Sequence, residues 1–219
     1  MASDMESLLD PIRHSPMRVE MTEKLQRELA AERDKRRKFY QEMTPEQKVE
    51  FIDGEVVMHS PAKNRHLLVT NHVARLLDVY VATRDLGQVR IEKCLCVFPR
   101  NDYEPDLVFF GLEKSAGLEA ETMKFPVPDL VVEVLSESTE ERDRGVKFQD
   151  YALHGVGEYW IIDPDAATVE QYLPGEDGYQ LAMKAGTGQL ASKVVEGFVM
   201  PVEAIFEAEA NLKALRELL

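Results

Sequence analysis

The stretch Pro128-Asp129-Leu130-Val131-Val132-Glu133-Val134-Leu135-Ser136 decides how this chain is read. Its β-branched and aliphatic run has the composition of a buried strand, and one carboxylate, Glu133, stands inside it. A charge in an apolar run is costly unless it is paired or bound to a metal. Upstream, Glu104-Pro105-Asp106-Leu107-Val108-Phe109-Phe110 reads as a second strand with Asp106 at its start.

Working outward, Tyr159-Trp160-Ile161-Ile162-Asp163-Pro164 is a further buried strand. Between it and the Glu133 strand a helix is expected from Ser138 or Thr139 to about His154, ended by Gly155 and Gly157. Strands are expected near Val89–Phe98, Asp106–Phe110 and Leu130–Leu135, with a closing antiparallel meander near Thr168–Leu173 and Tyr179–Lys184. Asn64 to Arg84 has the spacing of a long amphipathic helix, with Leu67, Leu68, Val73, Leu76, Leu77, Tyr80 and Val81 on its apolar side. Phe51-Ile52-Asp53-Gly54-Glu55-Val56-Val57 reads as a hairpin with an Asp-Gly turn. Thr44-Pro45-Glu46-Gln47 carries the signature of a short helix start.

Residues 1–16 read as irregular, and Met17 to Met43 as a charged helix with the stripe Met21, Leu25, Leu29. That helix carries the basic run Arg33-Asp34-Lys35-Arg36-Arg37-Lys38, read as a solvated face in preference to a nucleic-acid contact, with packing on a partner subunit the further option. Pro201 to Phe206 starts a last helix, and Ala208–Leu219 continues as an amphipathic tail whose Leu212, Leu215 and Leu218 form a candidate assembly surface. The order of elements specifies an α+β or α/β domain with a mixed sheet. Three units are expected: an arm over 1–43, a core over 44–206 and a tail over 207–219.

Composition narrows the function classes. Net charge is −14, which argues against a broad basic face for non-specific nucleic-acid binding but leaves a metal-neutralised acidic cleft open. No apolar run approaches the roughly 18 residues of a membrane span, and the N-terminal stretch has no apolar signal core. Cys94 and Cys96 lie two apart on an expected strand, a poor disulfide and a poor zinc site, so a reduced cytoplasmic setting is expected.

Asp106 and Glu133 are the leading candidates for chemistry. On adjacent strands they would project to one sheet edge and hold Mg²⁺, with the backbone carbonyl of Val134 as a further ligand. The plainer reading is that Asp106 merely opens a strand and Glu133 pairs with a buried cation. Lys147 borders the core face of its helix, from where it either orients water and phosphate or is an ordinary surface lysine. Glu55, after the hairpin turn, is a peripheral metal ligand or a solvent-facing residue. His66 opens the long helix, as a cleft residue or as a helix-start residue. Asp129 is read as a turn residue. His59, His66 and His72 lack metal-ligand spacing, and no Gly-rich phosphate loop or CxxC motif is present.

The sequence Asp-Gly-Glu hairpin, His-led helix, Glu-Pro-Asp-Leu, Pro-Asp-Leu-Val-Val-Glu-Val-Leu-Ser, Arg-Asp-Arg-Gly-Val-Lys and Gly-Glu-Tyr-Trp-Ile-Ile-Asp-Pro resembles the Uma-two family of restriction-endonuclease-like proteins in the PD-(D/E)XK nuclease superfamily. The resemblance runs from about Thr44 to Phe206 and is most specific from Pro128 to Pro164. It implies a restriction-endonuclease-like core, a central mixed sheet flanked by helices, with the N-terminal helix added. It implies that Asp106 and Glu133 bind Mg²⁺ or Mn²⁺ and that DNA is the substrate, cut by a homodimer or higher homo-oligomer. The superfamily lysine would stand at position 135, which is Leu135 here; Lys147, one helix later, takes its place in the resemblance. A non-catalytic nuclease-fold protein acting in assembly or regulation is the alternative.

Overall fold

A computed structural model describes residues 2–219. In chain order it contains α1 (Ala2–Arg13), α2 (Arg18–Glu42), β1 (Val49–Ile52), β2 (Glu55–Met58), α3 (Asn64–Thr83), β3 (Gly87–Ile91), β4 (Leu95–Val97), β5 (Asp102–Tyr103), β6 (Leu107–Gly111), α4 (Leu112–Ser115), β7 (Lys124–Phe125), β8 (Leu130–Val134), α5 (Glu140–Arg144), α6 (Val146–Leu153), β9 (Glu158–Asp163), β10 (Thr168–Gly175), β11 (Gly178–Ala185), β12 (Gln189–Ala191), β13 (Val199–Pro201), α7 (Glu203–Phe206) and α8 (Ala208–Leu218).

The expected mixed sheet is present. Its six strands run β11-β10-β9-β8-β6-β3, with β8 and β9 parallel and β6 and β8 antiparallel. A second sheet runs β2-β1-β5-β4-β7. Alternation along the central strands sorts their side chains onto two faces. Leu107, Phe109, Leu130, Val132 and Val134 pack with α3, α7 and α8. Val108, Phe110, Val131 and Leu135 pack on the other side with Tyr103, Tyr151 and Tyr159. Glu133 has the parity of this second face, so it points toward α6 and the second sheet.

Several expectations change. Thr44–Gln47 forms a single turn and no helix, because Val49–Ile52 is taken into the β1–β2–β5 ladder immediately after it. The hairpin turn is as expected, with Asp53 and Gly54 both left-handed at φ 50° and 81°. The single strand expected over Val89–Phe98 is two strands in different sheets, β3 and β4. They are separated by Glu92 and Lys93, which take φ of 52° and 31°. The helix expected from Ser138 to His154 is broken into α5 and α6 at Gly145, where a Cβ would stand 2.6 Å from the Glu141 carbonyl oxygen. Residues 2–13 are helical and not irregular, although Pro11 inside α1 removes one N–H from its ladder. Met1 lies outside the described residues.

The basic run on α2 is largely the solvated face expected, with Lys35, Arg37 and Lys38 more than half exposed, but Arg36 is drawn into the molecule. Arg36 donates to both Asp102 oxygens, at 2.5 and 2.7 Å, and to the carbonyls of Phe98, Pro99 and Asn101. Lys35, Arg37 and Lys38 pair with Glu55, Asp34 and Glu42. Farther up the same helix Met21, Leu25 and Leu29 stay exposed. The C-terminal helix is docked: Asn211 donates to the carbonyls of His72 and Ala204, and Leu215 and Leu218 lie against the core, so of the proposed assembly leucines Leu212 alone is exposed.

A second buried carboxylate, Glu158, ties the small β12–β13 sheet to the central one. One oxygen accepts from Trp160 Nε1 at 2.6 Å and Gln171 Nε2 at 2.5 Å. The other accepts from Ser192 Oγ at 2.7 Å and from the amides of Lys193 and Val194 at 2.8 and 3.1 Å. Glu158→Ala strands these buried donors and is expected to cost at least about 3 kcal/mol, lowering the urea midpoint at unchanged slope. Trp160 is the single tryptophan, so its fluorescence reports the transition directly.

Candidate active site

The register of β6 and β8 brings the two leading carboxylates together. Leu107 faces Val132 in this antiparallel pair, so one step outward Asp106 faces Glu133. The Asp106 amide donates to Glu133 Oε2 at 3.4 Å, and the Val134 amide donates to Asp106 Oδ2 at 2.9 Å. Val134 therefore meets Asp106 through its N–H. Both carboxylates are buried, at 4% and 3% exposure, and they line a cleft of about 890 Å³. The cleft wall carries nine carboxylates against five Lys and Arg side chains, an excess of negative charge.

Breaking the helix at Gly145 starts α6 where Lys147 and Tyr151, four residues apart, share the side facing β8. Lys147 Nζ lies 3.0 Å from Glu133 Oε1 and 3.0 Å from Glu50 Oε1. It also lies 3.2 Å from Asp143 Oδ1, an oxygen without hydrogen-bond geometry to any partner, so this third contact is electrostatic. Tyr151 adds a hydroxyl to Glu133 Oε1 at 2.9 Å. Lys147 is thus neither a surface lysine nor free to swing; its side chain is 3% exposed.

His66, in the first turn of α3, faces the cleft and places Nε2 3.2 Å from Asp106 Oδ1. Glu55 is not brought there: it is exposed on β2 and paired with Lys35 at 2.5 Å. Asp129 is a turn residue as read, accepting from the Gly111 amide and pairing with Lys114.

Three residues outside the sequence reading complete the site. Glu50, on the fully buried strand β1, accepts from the Glu104 amide and pairs with His59 and Lys147. Lys48 bridges Asp106 at 2.9 Å and Glu92 at 3.0 Å. Glu92 fell inside a segment read as strand, though between Arg90 and Lys93, and Glu50 lay just before the hairpin as read. The signal for Lys48 was weaker, since it precedes the strand.

Burial works upward on every carboxyl here, and the neighbours decide the outcome. At Asp106, burial is outweighed by His66, Lys48 and the Val134 amide, which hold it below the usual carboxylate range. At Glu50, burial is outweighed by Lys147 and His59, which hold it at about 2. At Glu133, burial prevails over Lys147, helped by repulsion from Asp143, Asp106 and Glu50, and lifts it to about 8. The cluster is short of positive charge.

Among the described residues, His66, Glu92 and Asp106 can bring one ligand atom each to within 4.8 Å of one another. Glu92 Oε1 is buried without a hydrogen-bond partner. Carboxylate oxygens in this number suit a hard divalent cation, and the imidazole is compatible with Mn²⁺. The donor set therefore fits a hard divalent cation, the class of ion the sequence resemblance implies.

The family model Uma2, whose description reads "Putative restriction endonuclease", matches residues 37–203. The chain belongs to the Uma2 family. Its Uma2 core spans every residue of the site described above. An uncharacterized protein of Synechocystis, sll1609, is 29% identical over 128 residues, 58% of this chain and 72% of that protein. A solved structure from Anabaena variabilis, titled a putative nuclease belonging to DUF820, superposes with a TM-score of 0.66 at 18% identity. It covers 81% of this chain and 96% of that one, which establishes the shared fold.

Proposed function

We propose that this Uma2 protein is a Mg²⁺- or Mn²⁺-dependent endonuclease that hydrolyses DNA phosphodiester bonds. The observation that carries the reading is the Asp106–Glu133 pair, facing across β6 and β8 at a cleft, with Lys147 on Glu133. Asp106 and Glu133 would hold the ion, with the Val134 carbonyl as a further ligand and His66 at the margin. When bound, the ion supplies Lewis acidity and a more acidic water. Asp106 is kept ionised at neutral pH by His66 and Lys48, so it is ready to bind a cation. Lys147 fixes the rotamer of Glu133 and balances part of its charge; buried as it is, it acts on the reaction through Glu133.

Free, buried Cys94 and Cys96 support a reducing cytoplasmic setting. The exposed stripe Met21, Leu25, Leu29 on the 1–43 arm supports a homodimer or higher homo-oligomer, with 44–206 as the catalytic core and 207–219 closing it. A second reading, a non-catalytic assembly or regulatory protein, is favoured by one observation: the acidic cleft wall, which repels a polyanion unless ions neutralise it.

Cleavage of supercoiled plasmid, linear duplex and single-stranded DNA with Mg²⁺ or Mn²⁺ separates the two. The expected result is cutting by the parent and none by Asp106→Ala/Glu133→Ala. Intact DNA on every substrate, with metal binding retained, would favour the second reading.

A further inference from the structure

Among the described residues, Lys48 is the one lysine or arginine that bridges the carboxylate oxygens of Glu92 and Asp106. Its ammonium donates to Asp106 Oδ1 at 2.9 Å and to Glu92 Oε2 at 3.0 Å. Asp106 Oδ1 is also the atom that His66 Nε2 approaches at 3.2 Å. Two of the three side chains able to converge on an ion are therefore tied by one lysine. Glu92 is also fixed by main chain: it sits in the left-handed turn between β3 and β4, and its amide donates to the Asp106 carbonyl at 3.1 Å. Lys93 pins that turn by donating to the carbonyls of Pro45 and Glu46. Glu92 is thus held rigidly beside Asp106 while one of its oxygens, Oε1, is buried without a partner. A lysine that satisfies only one oxygen of each carboxylate is a poor substitute for an ion that could take more of them.

We propose that Lys48 is a built-in competitor for the divalent cation: it holds Glu92 and Asp106 together in the metal-free protein and gives way when these residues, with His66, take the ion. This rests on the metal-site reading above and adds Glu92 and His66 to its ligands. Two cations cannot share Asp106 Oδ1 at contact distance without strong mutual repulsion. Lys48 is the one that can leave, because its side chain is 20% exposed on the cleft wall, whereas Lys147 is 3% exposed and held by three carboxylates. Once released, its ammonium is available to the solvent and to a bound phosphate.

The test is amine acylation of the full-length protein with and without saturating Mg²⁺, read by peptide mass spectrometry, alongside calorimetric Mn²⁺ titration. Lys48 labelling is expected to rise at least about threefold with Mg²⁺ while Lys213, exposed and remote, is unchanged. Lys48→Met is expected to bind Mn²⁺ about tenfold more tightly, since removing an internal competitor removes its share of the equilibrium. Glu92→Gln is expected to bind it more weakly. If the parent binds Mn²⁺ in an Asp106-dependent manner but Lys48 labelling does not rise, the competitor role alone is overturned. The same holds if Lys48→Met binds no more tightly. If the parent binds no ion, or Asp106→Ala binds as well as the parent, the metal-site reading fails first and this inference with it. Should Lys48→Met not fold, the labelling of the parent still decides.

Discussion

Lys147→Met should destabilise the protein by about 3–5 kcal/mol, the cost of leaving buried charges without their partner. One ammonium is within 3.2 Å of Glu50, Glu133 and Asp143, and each of these side chains is at most 4% exposed. Methionine fills the volume but offers no charge, so the carboxyls must take up protons or draw in water. Chemical denaturation at neutral pH measures the loss. The pH profile supplies a second signature. Glu50 is held at about 2 in the folded chain, below its ordinary 4.5. The folded state therefore binds fewer protons than the unfolded one between those values. Its contribution is fully present above about 4.5 and is lost as pH falls through about 2. Because Lys147 is the leading favourable cause of that depression, Lys147→Met should shrink the acid-side loss. An unchanged acid limb would show that His59 alone sustains Glu50.

Asp106→Ala should lower divalent-ion affinity by at least about a hundredfold while the chain stays folded, since even supporting residues around a metal are worth ten- to a hundredfold. Its consequences for the fold are limited by where it sits. The β6–β8 ladder is main chain, Lys48 keeps Glu92, and His66 lies on the cleft wall, so the principal loss is one acceptor for the Val134 amide. Calorimetry with Mn²⁺ and a thermal melt on the same sample read the two effects separately. Loss of the melt together with the heat would make Asp106 a structural residue and weaken the site assignment.

The central strands were legible because burial on both faces writes itself as continuous apolar runs. Leu130–Val134 and Tyr159–Ile162 could hardly be anything else, and Glu133 stood out against them. The register that faces Asp106 with Glu133 needed tertiary pairing, but the parity of each residue was already readable. Lys147 was placed by its helix, although the break at Gly145 was not. What the sequence concealed is instructive. Glu92 sits in a sheet-to-sheet turn with neither Gly nor Pro, so Val89–Phe98 looked like one strand. Glu50 was missed because the hairpin was read from Phe51, two residues into β1. Thr44–Gln47 carries helix-start chemistry that the adjoining ladder overrides, a case of tertiary pairing defeating local preference. Glu55 fell out for another reason: β2 is an edge strand exposed over most of its length, and Glu55 pairs there with Lys35.

The placement of β8 between β6 and β9 has a consequence for synthesis. Ribosomes deliver the chain from the N-terminus, at roughly 5–20 residues per second. When Asp106 has emerged, its strand has β3 as a neighbour, but β8, β9 and α6 do not yet exist outside the tunnel. Glu133 and Lys147 arrive later, and the parallel β8–β9 pairing, a non-local contact, closes only after Asp163. A nascent chain that ends before β8 holds Glu50, Glu92, Asp106 and Lys48 but neither Glu133 nor Lys147. The Asp106–Glu133–Lys147 constellation thus forms only once β8 and α6 have joined the earlier strands.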